Sequence, residues 1–246
     1  MKRIHVLSAV LLLAVGSAAP AADLATLQKA YFGSTKPGSW VKYEQTLTDA
    51  KGKAQKSEVT LSRLSGDGDR IWFEMRMVPK EGAKGKPTTM KYLLNTDFKV
   101  EKNALDYMKY VERLIMQEDG QEAMEYPVDM MAQVGAAFAS NVDYGADVSS
   151  LGPCGADGKT GEKVRIQGSF DVKVVFMRMK GTTDSELCMS DAIPFGRLSE
   201  KTVTTSDKGK LMNTSEMRVL DSGSGATSQI KGPVKTIEMP KMPWGS

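Results

Sequence analysis

The sequence predicts a mainly β protein of the α+β kind: a curled antiparallel sheet forming an unclosed barrel, with an N-terminal helix and a central helix capping its concave face. Three observations carry this expectation. Arg70-Ile-Trp-Phe-Glu-Met-Arg-Met-Val78 alternates apolar and polar residues with a period of two, the pattern of a half-buried strand. Runs of the same kind recur between short polar turns such as Asp49-Ala-Lys-Gly52 and Ser65-Gly-Asp-Gly68, which is the layout of a meander and not of βαβ units. Two stretches, residues 23–33 and 128–140, place apolar side chains at helical spacing behind a helix-starting residue.

The chain begins with Lys2-Arg3, an apolar run from Val6 to Val15 and the small residues Gly16-Ser-Ala-Ala-Pro-Ala-Ala22. The run is too short to span a bilayer and has the three parts of a secretory signal, so residues 1–21 are expected to be removed near Ala21-Ala22. The predicted location is the periplasm or the secreted medium, with no transmembrane segment in the mature chain. Residues 22–221 then form one β-rich domain, and residues 222–246 a flexible C-terminal tail.

Loss of Lys2 and Arg3 leaves 31 of the 33 basic residues against 30 acidic ones. That balance argues against nucleic acid, which demands a basic face. The same cleavage removes His5, the single histidine, so imidazole-based triads and the usual zinc sites are excluded from the mature chain. Acidic pairs such as Glu122 and Glu125, or Asp184 and Glu186, have nothing in the sequence to split their titrations and read as solvated strand faces. The Gly-rich turns lack the lysine and serine of a phosphate loop. No catalytic residue, metal site or cofactor is therefore predicted, and the protein is expected not to be an enzyme.

In order along the mature chain, Asp23 caps a helix with Leu24, Leu27 and Tyr31 on one side and Gly33 at its end. Trp40 to Thr48 is a strand that places Val41, Tyr43 and Leu47 on one face, and Ser57 to Leu64 returns with Val59 and Leu61 inward. The 70–78 strand points Ile71, Phe73, Met75 and Met77 to one side. After a solvated loop from Pro79 to Pro87, Thr88 to Asn95 aligns Met90, Tyr92 and Leu94. Residues 104–117 have some helical spacing, but Glu118-Asp-Gly-Gln121 is a turn signal, which favours a hairpin over residues 111–126. Pro127 stands where a helix would start, and Met131, Val134 and Phe138 share a helical face.

Residues 145–161 read as a Gly- and Ser-rich loop. Phe170-Asp-Val-Lys-Val-Val-Phe-Met-Arg-Met-Lys180 reads as one strand, Gly181-Thr-Thr-Asp184 as its turn and Ser185 to Ser190 as the return. Ala192-Ile-Pro-Phe-Gly196 makes a corner before a strand from Arg197 to Thr205, and Leu211 to Leu220 is the last long strand. Cys154 and Cys188 are the two cysteines; in an oxidising compartment a disulfide is preferred over two unrelated buried thiols.

The layout resembles the periplasmic lipoprotein-carrier superfamily of LolA and LolB type. The residues that carry the resemblance are Pro37-Gly-Ser-Trp-Val-Lys-Tyr43, Ile71-Trp-Phe-Glu74, Gln121-Glu-Ala-Met-Glu-Tyr-Pro127 and Ala192-Ile-Pro-Phe-Gly196. It implies the unclosed barrel with capping helices, and a broad role as a binding or carrier protein for a lipid or lipoprotein acyl chain. The inward positions that would line an apolar pocket are Val41, Tyr43, Ile71, Phe73, Met75, Met77, Tyr92, Leu94, Met131, Phe138, Met177 and Met179. Methionine also serves an ordinary core, or a Cu(I) site, and both sulfurs of each M-x-M share a strand face in every case. The rival reading is a non-catalytic structural or interaction module of the cell envelope with a filled core, whose partner is an envelope protein.

Overall fold

The computed structural model describes residues 35–66, 68–97, 110–127, 142–156, 158–174 and 177–237. These form twelve strands: β1 (Trp40–Asp49), β2 (Ala54–Arg63), β3 (Arg70–Pro79), β4 (Thr88–Asn95), β5 (Val111–Glu118), β6 (Ala123–Tyr126), β7 (Val142–Ala156), β8 (Lys159–Val174), β9 (Met177–Met189), β10 (Arg197–Ser206), β11 (Leu211–Gly223) and β12 (Val234–Thr236). All twelve belong to one open sheet with the order β12-β6-β5-β4-β3-β2-β1-β11-β10-β9-β8-β7. Every neighbouring pair is antiparallel except β12 with β6.

The α+β class is thereby corrected. Among the described residues the protein is all-β, with a 3-10 turn at Pro194–Gly196 between β9 and β10 and no α-helix. Residues 23–33 and 128–140, where spacing predicts the capping helices, lie outside the described residues. The physical reason for the heavier β content is strand length: β7 and β8 run for 15 and 16 residues. Backbone pairing across such a hairpin overrides the weak strand propensity of Gly and Ser.

Two turn readings fail for the same reason. Residues 145–161 are not a loop but the body of β7 and the start of β8, reversed where Ala156 faces Lys159 beside Gly158, whose φ is 74°. The 170–180 stretch is not one strand: β8 ends at Val174, which faces Met177 at the start of β9. Gly161 and Gly181 sit inside strands because their neighbours come too close for a side chain. A Cβ at Gly161 would lie 2.0 Å from the Met189 carbonyl oxygen, and one at Gly181 would lie 2.0 Å from the Thr205 carbonyl oxygen and 2.7 Å from the Phe170 ring. The hairpin favoured over 111–126 is present as β5 and β6.

Register places the two faces of the sheet in different chemistry. On one face Val41 faces Leu61, Leu61 faces Met75 and Met75 faces Met90, while Phe73 faces Tyr92. All but Met90, which is half-buried and packs against them, belong to a buried cluster that also takes in Ile71, Leu94, Val111, Leu114, Met217 and Val219. The opposite face carries cross-strand ion pairs: Lys42 with Glu58 at 3.5 Å, Glu44 with Arg218 at 2.9 Å, Lys201 with Glu216 at 2.9 Å, and Arg165 with Asp184. The alternation in the sequence is this division read along each strand.

The sheet curls toward its apolar face. Four strand steps separate β3 from β10, about 19 Å in a flat sheet at ~4.8 Å per step. Yet the ring of Phe195, in the corner before β10, lies 6.0 Å from that of Phe73 on β3, edge to face. Phe195 has a φ of 61°, rare outside glycine, and its N–H donates to Thr35 Oγ1 at 3.1 Å. The corner thus closes one end of the concave face.

Cys154 on β7 and Cys188 on β9 are joined as a disulfide with Cα atoms 5.9 Å apart. Strands two steps apart in a flat sheet stand ~9.6 Å apart, so the end of β7 bends over β8. The register shift between Ser150 and Gly152, with Gly152 at φ 100°, is where the bend is made.

Residues 224–237, part of the segment expected as a flexible tail, lie across the convex face. Trp40 Nε1 donates to the Ser224 carbonyl (3.2 Å), Ser228 Oγ and the Gln229 N–H donate to the Glu74 carboxylate (2.6 and 2.7 Å), and Gln117 exchanges two hydrogen bonds with the Lys231 backbone. The strap then runs parallel to β6 and covers its free edge, and the Ile237 N–H donates to the Glu125 carbonyl.

Candidate functional site

The strands deliver two kinds of side chain to the concave face. Toward the Phe195 end it is apolar and closed: Val41, Tyr43, Ile71, Phe73, Met75, Tyr92 and Leu94 are all buried and pack in one cluster. Phe73 and Tyr92 stack at 5.7 Å, which orients both rings. Along β1 and β2 toward the other end the inward residues turn polar, because Gln45 follows Tyr43 and Ser57 and Gln55 precede Val59 at the same two-residue spacing.

Register extends this polar stretch across five strands. One row runs from Glu200 through Met217 and Gln45 to Ser57, and the next from Ser185 through Thr202, Ser215 and Leu47 to Gln55. The band is bonded to itself: Ser185 Oγ and Thr202 Oγ1 are 2.8 Å apart, Thr202 Oγ1 donates to Glu200 Oε1 at 2.9 Å, and Gln45 Nε2 donates to Ser215 Oγ at 3.3 Å. Arg197, with none of its side chain exposed, pairs with Glu200. A buried carboxylate and guanidinium are tolerable only in such company.

Where the apolar cluster meets the polar band the face is open. A cavity of about 140 Å³ lies there, lined by Gln45, Leu47, Gln55, Ser57, Met77, Pro79 and Thr88 from β1 to β4 and by Ala83, Lys84 and Lys86 from the loop between β3 and β4. Met77 is thus the one residue shared by the predicted pocket lining and this cavity. Of the other predicted residues, Val41, Tyr43, Ile71, Phe73, Met75, Tyr92 and Leu94 fill the adjoining cluster. Met131 and Phe138 lie outside the described residues, and Met177 opens β9. Met179 lines a separate open depression with Lys180, Ser206, Asp207 and Met212, so the structure does not bring it to Met77.

The site residues that sequence reasoning missed are mostly polar: Gln45, Gln55, Ser57, Thr88, Lys84, Lys86 and the Arg197–Glu200 pair, with Leu47, Pro79 and Ala83 beside them in the lining. The period of two already placed Gln45 and Ser57 inward; looking only for apolar side chains hid them. Three carboxylates with displaced titrations lie elsewhere, on the convex side, while Arg63, which faces Phe73, is lowered from its ordinary value by burial. Hydrogen bonds from Arg76, Arg113 and Arg165 hold Asp119, Glu125 and Asp184 below the usual carboxylate range. No group of three or more metal-ligating side chains occurs among the described residues, and no described helix is long and apolar enough to cross a membrane.

This arrangement defines a class: an all-β protein built on one curled, unclosed sheet, with a two-toned concave face and no assembled catalytic group among the described residues. No family model and no curated protein matches the chain. Among solved structures it is similar to a protein from Bacteroides fragilis described as exported and of YmcC-like fold, with 8% identity and a TM-score of 0.38 over 76% of this chain and 97% of that one. A protein from Parabacteroides distasonis described as a lipoprotein has 10% identity and a TM-score of 0.39 over 77% and 96% of the two chains. A DUF1329 family protein from Desulfovibrio piger has 8% identity and a TM-score of 0.35 over 88% and 92%. With TM-scores below 0.5, these likenesses assign the chain neither a family nor a function.

Proposed function

We propose that this protein is an exported, non-catalytic binding protein of the cell envelope that holds the apolar part of a lipid-like ligand on its concave face, as a lipid or acyl-chain carrier does. The observation that carries the proposal is the opening between the apolar cluster and the polar band, at Met77, Leu47 and Gln45. Export rests on the signal-like first 21 residues. At ~0.8 kcal/mol per buried methylene, about ten methylenes taken out of water supply the roughly 8 kcal/mol that micromolar affinity requires.

Native mass spectrometry of the protein purified from a Gram-negative periplasm tests the proposal, together with displacement of a fluorescent fatty acid. The expected result is a co-purifying lipid mass and saturable binding that Met77→Trp, which fills the cavity, abolishes. The second reading, an interaction module with a filled core, is favoured by the near-complete burial of Ile71, Phe73 and Met75. Absence of both lipid mass and probe binding would replace the first reading by the second.

A further inference from the structure

We infer that the ligand of this cavity is an anionic amphiphile, one whose carboxylate or phosphate head is met by Lys84 and Lys86 while its first carbons enter between Leu47, Met77 and Pro79; the inference rests on the binding reading above. Two independent features of the cavity point this way. The first is its charge. Ten residues line it, and they include two lysines and no carboxylate. On the convex face, by contrast, cations stand against carboxylates in cross-strand pairs such as Glu44–Arg218 and Lys201–Glu216. Carboxylates sit outside the lining: Glu118 pairs with Lys86 at 3.8 Å and Asp119 lies within reach of the same charge, Glu81 pairs with Lys56 at 3.3 Å, and Glu58 pairs with Lys80 at 3.6 Å.

The second feature is the sorting of the lining by polarity. Met77 packs against the buried cluster and Leu47 and Pro79 stand beside it in the lining, whereas Gln55 and Ser57 bring an amide and a hydroxyl to the same face, next to Gln45 bonded to Ser215 and Thr88 bonded to the Lys86 carbonyl. A purely apolar chain would cover the Gln55 amide and the Ser57 hydroxyl without offering them a partner, and a small ion would leave the apolar wall wet. A molecule with a charged end and a hydrocarbon end satisfies both.

Isothermal titration of the mature protein at low salt tests the inference with four probes: dodecanoate, dodecyl phosphate, the uncharged 1-dodecanoylglycerol and inorganic phosphate, the chain probes kept below their critical micelle concentrations. Dodecanoate or dodecyl phosphate is expected to bind about tenfold more tightly than the uncharged ester, with the advantage shrinking as salt is raised. Which of the two binds more tightly identifies the head. The double variant Lys84→Gln/Lys86→Gln, altered only at exposed loop positions, is expected to lose that advantage while its affinity for the uncharged ester stays within twofold. Equal binding of charged and uncharged probes, or an advantage that survives in the double variant, would overturn the anionic inference and leave the apolar reading standing. Inorganic phosphate binding as tightly as dodecyl phosphate would overturn the amphiphile. Failure of every probe to bind would overturn both.

Discussion

Glu74 is the point where the C-terminal strap is fastened to the sheet, and replacing it should release the strap. The residue is only 3% exposed although it lies on the convex face, because Ser228 Oγ and the Gln229 N–H close over its carboxylate at 2.6 and 2.7 Å. A hydrogen bond to a charged group contributes about 1.5–3 kcal/mol net. Two such bonds, less the cost of keeping a carboxylate out of water, give an expected loss of about 2–3 kcal/mol for Glu74→Ala. For a chain of this length that lowers Tm by roughly 4–12 °C, measured by differential scanning calorimetry. Glu74→Gln keeps one acceptor and should lose about half as much. The site of the damage separates this account from general destabilisation: hydrogen exchange should quicken first at Gln229, Lys231 and Ile237, while amides of β1 to β4 follow only the global change. A Tm within 2 °C of the parent, or exchange that rises evenly over the sheet, would refute the fastening role.

Three further outcomes are expected. Replacing both cysteines by alanine removes a cross-link that closes a separation of 34 residues; the loop-entropy model gives a loss of about 4 kcal/mol at most, with the β circular dichroism retained, and denatured, non-reduced parent protein should show no titratable thiol. Arg197→Met leaves Glu200 buried without its cation and should cost about 3–5 kcal/mol in urea unfolding, most of it recovered in Arg197→Met/Glu200→Leu. Acid should weaken the fold in a defined direction. Asp119, Glu125 and Asp184 titrate below their ordinary values when folded, so their stabilisation is complete above the unfolded carboxylate range near pH 4 and is lost as pH falls through the lower folded values. Arg165→Gln should flatten that loss in stability-versus-pH measurements; an unchanged profile would show that the pair with Asp184 does not matter.

The inward set Val41, Tyr43, Ile71, Phe73, Met75, Tyr92 and Leu94 was legible because a strand alternates its side chains and a buried face selects for apolar ones; each position can be judged from its immediate neighbours. The 118–121 turn was legible for a similar local reason. Gly161 and Gly181 were misread as loop and turn because what excludes a side chain there is the carbonyl of Met189 or Thr205 on an adjoining strand, which no local pattern contains.

The period, the apolar wall, the polar turns between strands and the pairing partners open to two cysteines are legible along the chain, since each follows from local conformational preference or from composition. Which strands became neighbours, and what met across them, was settled by the folded sheet. Curling the sheet set Phe195 against Phe73, joined Gln45, Ser215, Thr202 and Ser185 into one band, and put Lys84 and Lys86 at the edge of a cavity that begins at Met77. Those meetings are set by register and curvature summed over the whole sheet, and a one-residue slip anywhere along it would have turned the same side chains to opposite faces.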